Sequence, residues 1–439
     1  MHPAETAPLT GDSALLRAVG AFALALGVVN VIVGGGIFLM PAELAKALGP
    51  AAPLAPLLGA LVIVPIALCF AGAGSRVDAT GGPYSYASAA FGPLPGFIAG
   101  ALMWISNIAS SAGVAAGLAG ALASLWPVLG DSGWRATLLV AVYGALTALN
   151  LAGVKAGSRA IVLLTTLKLA PLVLLCMLGI WAVDWSQVSF VPSAEASLGA
   201  SMIVVMFAYS GMETALVPSA EVKSSARSVP LATLVAVGFV VLLYFTLQVV
   251  STGVLGVASL AGSSAPLAAT AGALWGPGFV LLLLTASVSM LGFLQGNLLG
   301  TSRLVYALAR DGFLPRPLAG ISAGTRVPVA AVLLHGGLAL ALALVGSFGK
   351  LVLISGGAIC LTYLLCCASA WQLQRRGVVS ASGGAPFLLP GGAWLLPLLA
   401  CGLLAWVLTT LKGDEWAAIG IALAAIVLLY ALIRAVRRA

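Results

Sequence analysis

Twelve apolar stretches, each long enough to cross a bilayer, constrain this chain more than any other feature. They fall at roughly 15–39, 51–75, 91–125, 134–153, 158–183, 198–220, 228–256, 270–307, 327–347, 349–371, 393–411 and 416–433. A helix needs about 20 apolar residues to span a ~30 Å hydrocarbon layer. Continuous runs of this kind exclude an outer-membrane barrel, whose strands alternate apolar and polar residues in short segments. With 61% hydrophobic and 7% charged residues, against about 25% charged in soluble domains, the chain has too little charge for a wetted surface. A large soluble enzyme and a disordered chain are both excluded. The expectation is an all-α integral membrane protein of twelve transmembrane helices.

Charge placement tests that count. With the N-terminus inside, Arg17, Arg76, Lys155, Arg159, Lys223, Arg227, Arg303, Arg310, Arg316, Arg326, Arg375, Arg376, Arg434, Arg437 and Arg438 lie on the cytoplasmic side, and only Lys46, Arg135, Lys350 and Lys412 lie outside. One missed helix would scramble this bias, so the positive-inside rule supports twelve spans with both termini cytoplasmic. The division expected is a cytoplasmic tail 1–14, a first five-helix unit 15–183, a second five-helix unit 198–371, helices eleven and twelve at 393–433, and a tail 434–439. The location expected is the cell inner (cytoplasmic) membrane, multi-pass. The polar, Pro-containing start does not read as a cleavable signal peptide.

Several function classes drop out. The net charge of +8 is spread over short loops without a basic stripe, which argues against nucleic acid. Cys69, Cys176, Cys360, Cys366, Cys367 and Cys401 sit in apolar segments with no C-x-x-C or Cys/His grouping, and read as small buried apolar residues. His2 and His335 stand alone in sequence, so neither a metal site nor a cofactor is expected. The loops are short and poor in His, Asp and Glu, against a membrane enzyme. No repeated pore ring is found, against a channel.

Two spans are interrupted. The first carries Gly34-Gly35-Gly36 in mid-span, between Val33 and Ile37. Each glycine costs a helix ~1 kcal/mol relative to alanine. The triplet reads either as a close-packing face or as a discontinuous helix whose freed backbone faces a ligand. The sixth, Phe207-Ala208-Tyr209-Ser210-Gly211-Met212-Glu213-Thr214, has a mid-span glycine beside an acidic residue, and an ionisable group within a span marks a functional site. Each break opens a run of five spans. Five is odd, so the second run inserts upside down relative to the first. Interrupted helices at matching places in inverted halves point to a transport site at the midplane.

The motifs resemble the amino acid–polyamine–organocation (APC) superfamily along all twelve segments. Gly34-Gly35-Gly36-Ile37-Phe38 resembles its G-S-G-I-F start. Gly81-Gly82-Pro83-Tyr84-Ser85-Tyr86 resembles the G-G-x-Y-x-Y element before helix three. Phe207 to Glu213, with Glu221-Val222-Lys223 and Val229-Pro230, resembles the helix-six signature and its loop. Tyr306 to Pro315 resembles the loop after helix eight. Four motifs in order are specific where one is weak. The resemblance implies a LeuT-like 5+5 inverted repeat with broken helices one and six, and transport of amino acids or related amines. Gly35 stands where the family has Ser, so backbone N–H groups must take the place of that hydroxyl.

An amino acid presents a carboxylate and an ammonium a few Å apart, and helix breaks suit both. The N–H groups of Gly35, Gly36 and Ile37, next to Gly34, would meet the carboxylate at the positive end of a helix dipole. The unpaired carbonyl of Ile32, with those of Phe207 and Ser210, would meet the ammonium, and Ala208 and Gly211 complete the second break. Phe207 reads as a lid. By resemblance to arginine/agmatine antiporters, Asn107 and Ser355 would contact the substrate side chain, and Asn297 replaces a pocket Trp. No Asp or Glu falls at these three positions, and the Trp is lost as a cation–π partner, so neutral amino acids are favoured. A cationic amino acid, amine or polyamine exchanger is the alternative. Lys168, about ten residues inside the fifth span, must find a partner or give up its proton. By resemblance it stands against the break in helix one where sodium sits in coupled relatives. Lys168 and Glu213 are the candidate proton carriers. The sequence thus predicts a secondary active transporter, proton-coupled or exchanging, whose partners are a small amino acid and membrane lipid. Its oligomeric state, homodimer included, is left open.

Overall fold

The computed structural model describes residues 12, 15, 18–123, 126–192, 198–345, 348–381, 383–409 and 413–438. Apart from Asp12, the tail expected at 1–14 lies outside them, as do Arg17 and Lys412. Among the described residues every regular element is a helix. The α-helices are α1 (Ala21–Ile32), α2 (Gly36–Leu48), α3 (Leu54–Gly74), α4 (Pro83–Phe91), α5 (Pro93–Ala123), α6 (Ser132–Leu151), α7 (Val154–Gly179), α8 (Leu198–Tyr209) and α9 (Met212–Ala215). They continue with α10 (Ser225–Leu255), α11 (Val257–Ala261), α12 (Pro266–Leu274), α13 (Gly278–Arg310), α14 (Val329–Val345), α15 (Phe348–Arg375), α16 (Gly392–Leu408) and α17 (Gly413–Arg438).

Seven of these, α3, α5, α6, α7, α10, α13 and α15, are long and apolar enough to cross a membrane, and the pair of α1 and α2, bent by 46°, makes an eighth span. Shorter apolar helices lie at Val329–Val345, Gly392–Leu408 and Ile419–Ala435. The protein is therefore a multi-pass membrane protein. Many large apolar side chains, Trp181, Leu428 and Phe22 among them, are exposed on its outside, as a lipid-facing surface requires.

The breaks have local causes. At Val33 the backbone leaves the helical region (φ −75°, ψ 66°) before the three glycines. Gly211 has φ +127°, a conformation L side chains rarely adopt, and a Cβ there would stand 2.9 Å from the Val31 backbone. Only glycine lets the two breaks touch. One segment departs from expectation. The stretch expected as continuous over 270–307 divides into α12 and α13. Pro277 starts α13 and cannot donate a helical hydrogen bond, and the residues before it turn extended at Trp275 (φ −151°, ψ 133°).

Long α13 is the backbone against which the broken helices pack. Gly292, Gly296 and Gly300 recur every fourth residue along one face of it. A Cβ at Gly296 would meet Val31 Cγ2 at 2.7 Å, and one at Gly300 would run into the Thr214 backbone oxygen. The stripe thus admits α1 and α9 to close contact with α13, a small-residue interface of the kind membrane helices use. Asn30 Nδ2 donates to the Gly292 carbonyl through the same gap.

The C-terminal end of α13 is clasped by charge. Arg303 Nε donates to Glu221 Oε1 at 3.0 Å, both side chains being buried. The Glu221 carbonyl accepts from the N–H groups of Ala18 and Val19, each at 3.0 Å. Arg310 bonds Asp12 at 2.7 Å and Asp311 at 2.8 Å, and Tyr84 donates its hydroxyl to Asp311. Burial pushes the Asp311 carboxyl up, but the hydrogen bonds from Arg310 and Tyr84 outweigh it and hold the group below the usual carboxylate range.

Overpacking a tight helix contact costs about 1–3 kcal/mol. Gly296→Leu should therefore lower the melting temperature of the detergent-purified protein by several degrees. Gly238→Leu, at an exposed site with nothing within 4 Å of the added Cβ, should leave it unchanged.

Candidate binding site at two helix breaks

The breaks of α1/α2 and α8/α9 face each other across a narrow cavity. Gly34, Gly35, Gly36, Ile32, Phe207, Ala208, Ser210, Gly211 and Glu213 line it from the breaks. Asn107 on α5, Asn297 on α13 and Ser355 on α15 line it from the surrounding helices. Two named residues fall elsewhere. The Ile37 side chain is fully buried and does not line the cavity. Lys168 stands behind the α1 break, also fully buried.

In an apolar surrounding, the carbonyls freed by a broken helix must find donors. Three other helices supply them. From α7, Lys168 Nζ donates to the Asn30 carbonyl at 2.7 Å and to the Val33 carbonyl. From α13, Ser289 Oγ reaches the carbonyls of Val33 at 2.7 Å and Gly34 at 2.9 Å. From α10, the Tyr244 hydroxyl lies 3.0 Å from the Ile32 carbonyl and 3.2 Å from that of Ala208, so one side chain joins both breaks.

The expectation of an unpaired Ile32 carbonyl is thereby corrected. Its two lone pairs are taken by Tyr244 and by the Gly34 N–H at 2.7 Å. The Phe207 carbonyl likewise accepts from the Ser210 N–H at 3.2 Å and hydroxyl at 2.8 Å. A substrate ammonium must displace or share these donors. The N–H groups are disposed differently. Those of Gly35, Gly36 and Ile37 donate to none of the described residues, and they open α2, where first-turn N–H groups have no partner inside the helix. The break is closed at its carbonyls and open at its N–H groups, which suits an anion.

The polar residues of the wall differ in what they can offer. Asn107 donates to Thr301 Oγ1 at 2.9 Å and accepts from Thr214 Oγ1 at 3.1 Å. It braces α5 against α13 and α9. Ser355 pairs with Ser106, their hydroxyl oxygens 2.8 Å apart. Glu213 Oε2 accepts from the Gly211 N–H at 3.0 Å and the Tyr363 hydroxyl at 2.6 Å, which ties α9 to α15. Asn297 Oδ1 lies 3.0 Å from His335 Nε2.

Sequence reasoning missed Val31, Ser106, Ser110, Val114, Thr214 and Phe293 in the lining. Ser106, Ser110 and Val114 recur every fourth residue on α5, and Phe293 precedes Asn297 by four on α13, so helical periodicity around the polar positions was the available signal. Tyr244 and Ser289 carried none, because their partners are carbonyls more than 30 residues away in the chain.

A Cβ at Gly36 would stand 3.2 Å from the Phe207 ring and 3.4 Å from Ala208 Cα. Gly36→Leu should fill the space beside the open N–H groups and abolish ligand binding, while the protein still purifies as a folded, monodisperse species. Wild-type affinity in that variant would refute the assignment of this cavity.

Comparison with known proteins agrees with the arrangement. Residues 16–411 match the family described as amino acid permease. The chain is 26% identical to the methylthioribose transporter of Bacillus subtilis (strain 168), over 94% of this chain and 93% of that protein. It is 26% identical to the branched-chain amino acid permease BcaP of the same organism, over 94% of each. With the serine/threonine exchanger SteT, also from that organism, it shares 27% identity over 84% of this chain and 85% of the relative. A multi-pass helical protein with two facing helix breaks and a family match over nearly its whole length is a transporter and not an enzyme, and the chain belongs to the amino acid permease family of the APC superfamily.

Proposed function

We propose that this protein is a secondary active transporter that moves neutral amino acids across the cytoplasmic membrane by alternating access, coupled to protons or by exchange. The observation that carries this reading is the cavity's polarity. Open N–H groups at the start of α2 suit a carboxylate, and nearby carbonyls of Ile32, Phe207 and Ala208 suit an ammonium. The side-chain wall of Asn107, Asn297 and Ser355 has no charge. In this reading α1/α2 and α8/α9 are the broken first and sixth of twelve spans, in a 5+5 inverted repeat of 15–183 and 198–371. Helices at 393–433 lie outside the repeat, and both termini are cytoplasmic.

Two further cavities support alternating access. One lies between α1, α7, α9 and α13 and shares Val31 and Thr214 with the central cavity. Another lies between α2, α5, α12 and α13 and reaches Met290, one turn before Phe293. They meet α13 on either side of Phe293, one at Gly296, Leu299 and Gly300 and the other between Phe279 and Met290. A second reading has one observation in its favour. Glu213 lines the central cavity, and its carboxylate would serve as counter-charge for a cationic amine.

Lys168 is proposed as the fixed cation that takes the place of sodium, and with Glu213 as a candidate proton carrier. Uptake of labelled amino acids into proteoliposomes, with competition by the twenty amino acids, tests the function. Saturable uptake competed by neutral members, and unchanged when choline replaces sodium, is expected. Competition by cationic amines alone would favour the second reading, and non-saturating flux would refute a carrier. Lys168→Ala should lose transport, since it strips the buried Asn30 carbonyl of its donor at about 1–3 kcal/mol and leaves the Val33 carbonyl to Ser289 alone. If Lys168 carries the proton, gradient-driven uptake should collapse while exchange partly survives. If it only braces α1, the two should fall together.

A further inference from the structure

Asn297 is the one amide of the cavity wall whose nitrogen forms no hydrogen bond with the described residues, and its partner lies one layer out. His335 on α14 is buried, 1% exposed, with Nε2 at 3.0 Å from Asn297 Oδ1. It does not line the cavity. Its other ring nitrogen, Nδ1, is buried without a partner among the described residues. A neutral imidazole carries one N–H, and the hydrogen-bond network assigns which nitrogen holds it. With Nε2–H donating to Oδ1, the bare Nδ1 is a lone pair. The opposite assignment would make Asn297 the donor and would bury an Nδ1–H with no acceptor beside it, a cost native structures avoid. The first pairing therefore holds, and it leaves the Asn297 NH2 group, a donor only, unbonded to the described residues on a side chain that lines the cavity.

We infer that His335 is a positioning residue that fixes Asn297 as a hydrogen-bond donor into the cavity, and so selects substrates whose side chain carries an acceptor oxygen over apolar side chains of equal size. The inference rests on the amino-acid reading above and narrows its substrate class to hydroxyl- and amide-bearing members. Neighbouring polar groups are more fully committed to the protein than Asn297. Both amide atoms of Asn107 are engaged, and Ser355 is paired with Ser106. Without His335 the Asn297 amide would be free to rotate and present either its oxygen or its nitrogen, and the preference would vanish.

Threonine and valine differ by a hydroxyl in place of a methyl, and they provide the test. Purified protein is titrated with each, and Kd is read from ligand-induced thermal stabilisation. One neutral hydrogen bond predicts that the wild type binds threonine roughly 3–10-fold more tightly than valine. His335→Leu should bring the ratio to about 1. His335→Gln, whose amide nitrogen reaches the place of Nε2, should restore it, and the shorter His335→Asn should not. A side chain that only filled space would not separate Gln from Asn. If His335→Leu does not yield monodisperse protein, the Gln and Asn pair decides alone. A wild-type ratio near 1, or a wild-type ratio kept by His335→Leu or His335→Asn, would overturn this inference while amino-acid binding itself stands. Binding of neither amino acid would overturn the amino-acid reading and this inference together.

Discussion

The structure depends on how a broken helix is kept satisfied where water does not reach. Interrupting α1 at Val33–Gly35 frees backbone carbonyls in an apolar surrounding, and each left bare would cost about as much as a lost buried hydrogen bond. The fold answers with side chains from three separate helices. Lys168 of α7, Tyr244 of α10 and Ser289 of α13 converge on the carbonyls of Asn30, Ile32, Val33 and Gly34. This convergence explains why a lysine can be fully buried on a mostly apolar helix. It is a donor with two acceptors and no carboxylate, and its role belongs to α1 as much as to α7.

The same solution gives the cavity its polarity. Protein donors occupy the carbonyl side of the break, and the N–H side is left open. In the proposed reading a carboxylate would meet the open N–H groups, and an ammonium would have to share carbonyls already bonded to Tyr244, Gly34 and Ser210. Tyr244 makes the coupling mechanical, because its hydroxyl lies between the carbonyls of Ile32 and Ala208 and joins α1 to α8.

Around this centre the polar residues divide into braces and readers. Asn107 and Glu213 both line the cavity, yet their hydrogen bonds tie α5, α9, α13 and α15 together. Asn297 is held by only one of its amide atoms. The glycine stripe on α13 allows this arrangement, since it brings the α1 and α9 backbones close enough for Asn30 to reach Gly292 and Thr214 to reach Asn107. Small residues at the packing face thus place polar ones at the site.

Much of the fold was legible in the sequence, for physical reasons. Lipid demands long apolar helices, so each apolar run reads directly as one. Three glycines in mid-span, and Gly211 beside Glu213, marked places where a helix could yield, and the structure breaks both helices there. Local composition also carried the family resemblance. The split between α12 and α13 was readable in principle from Pro277, but the hydrophobicity of the flanking residues concealed it. What the chain alone could not decide is which polar side chain spends its hydrogen bonds on the protein and which on a ligand. Asn107 and Asn297 look alike in sequence, each an amide on an apolar helix. One is held at both amide atoms by Thr214 and Thr301, and the other at its oxygen by a histidine 38 positions away. His335 and Tyr244 gave no local signal, since a hydrogen bond between distant helices depends on how the helices pack. The sequence by itself determined the helices and the places where they break. The tertiary structure alone decided which freed backbone groups are filled by side chains and which are left open, because that depends on which helices pack against the breaks.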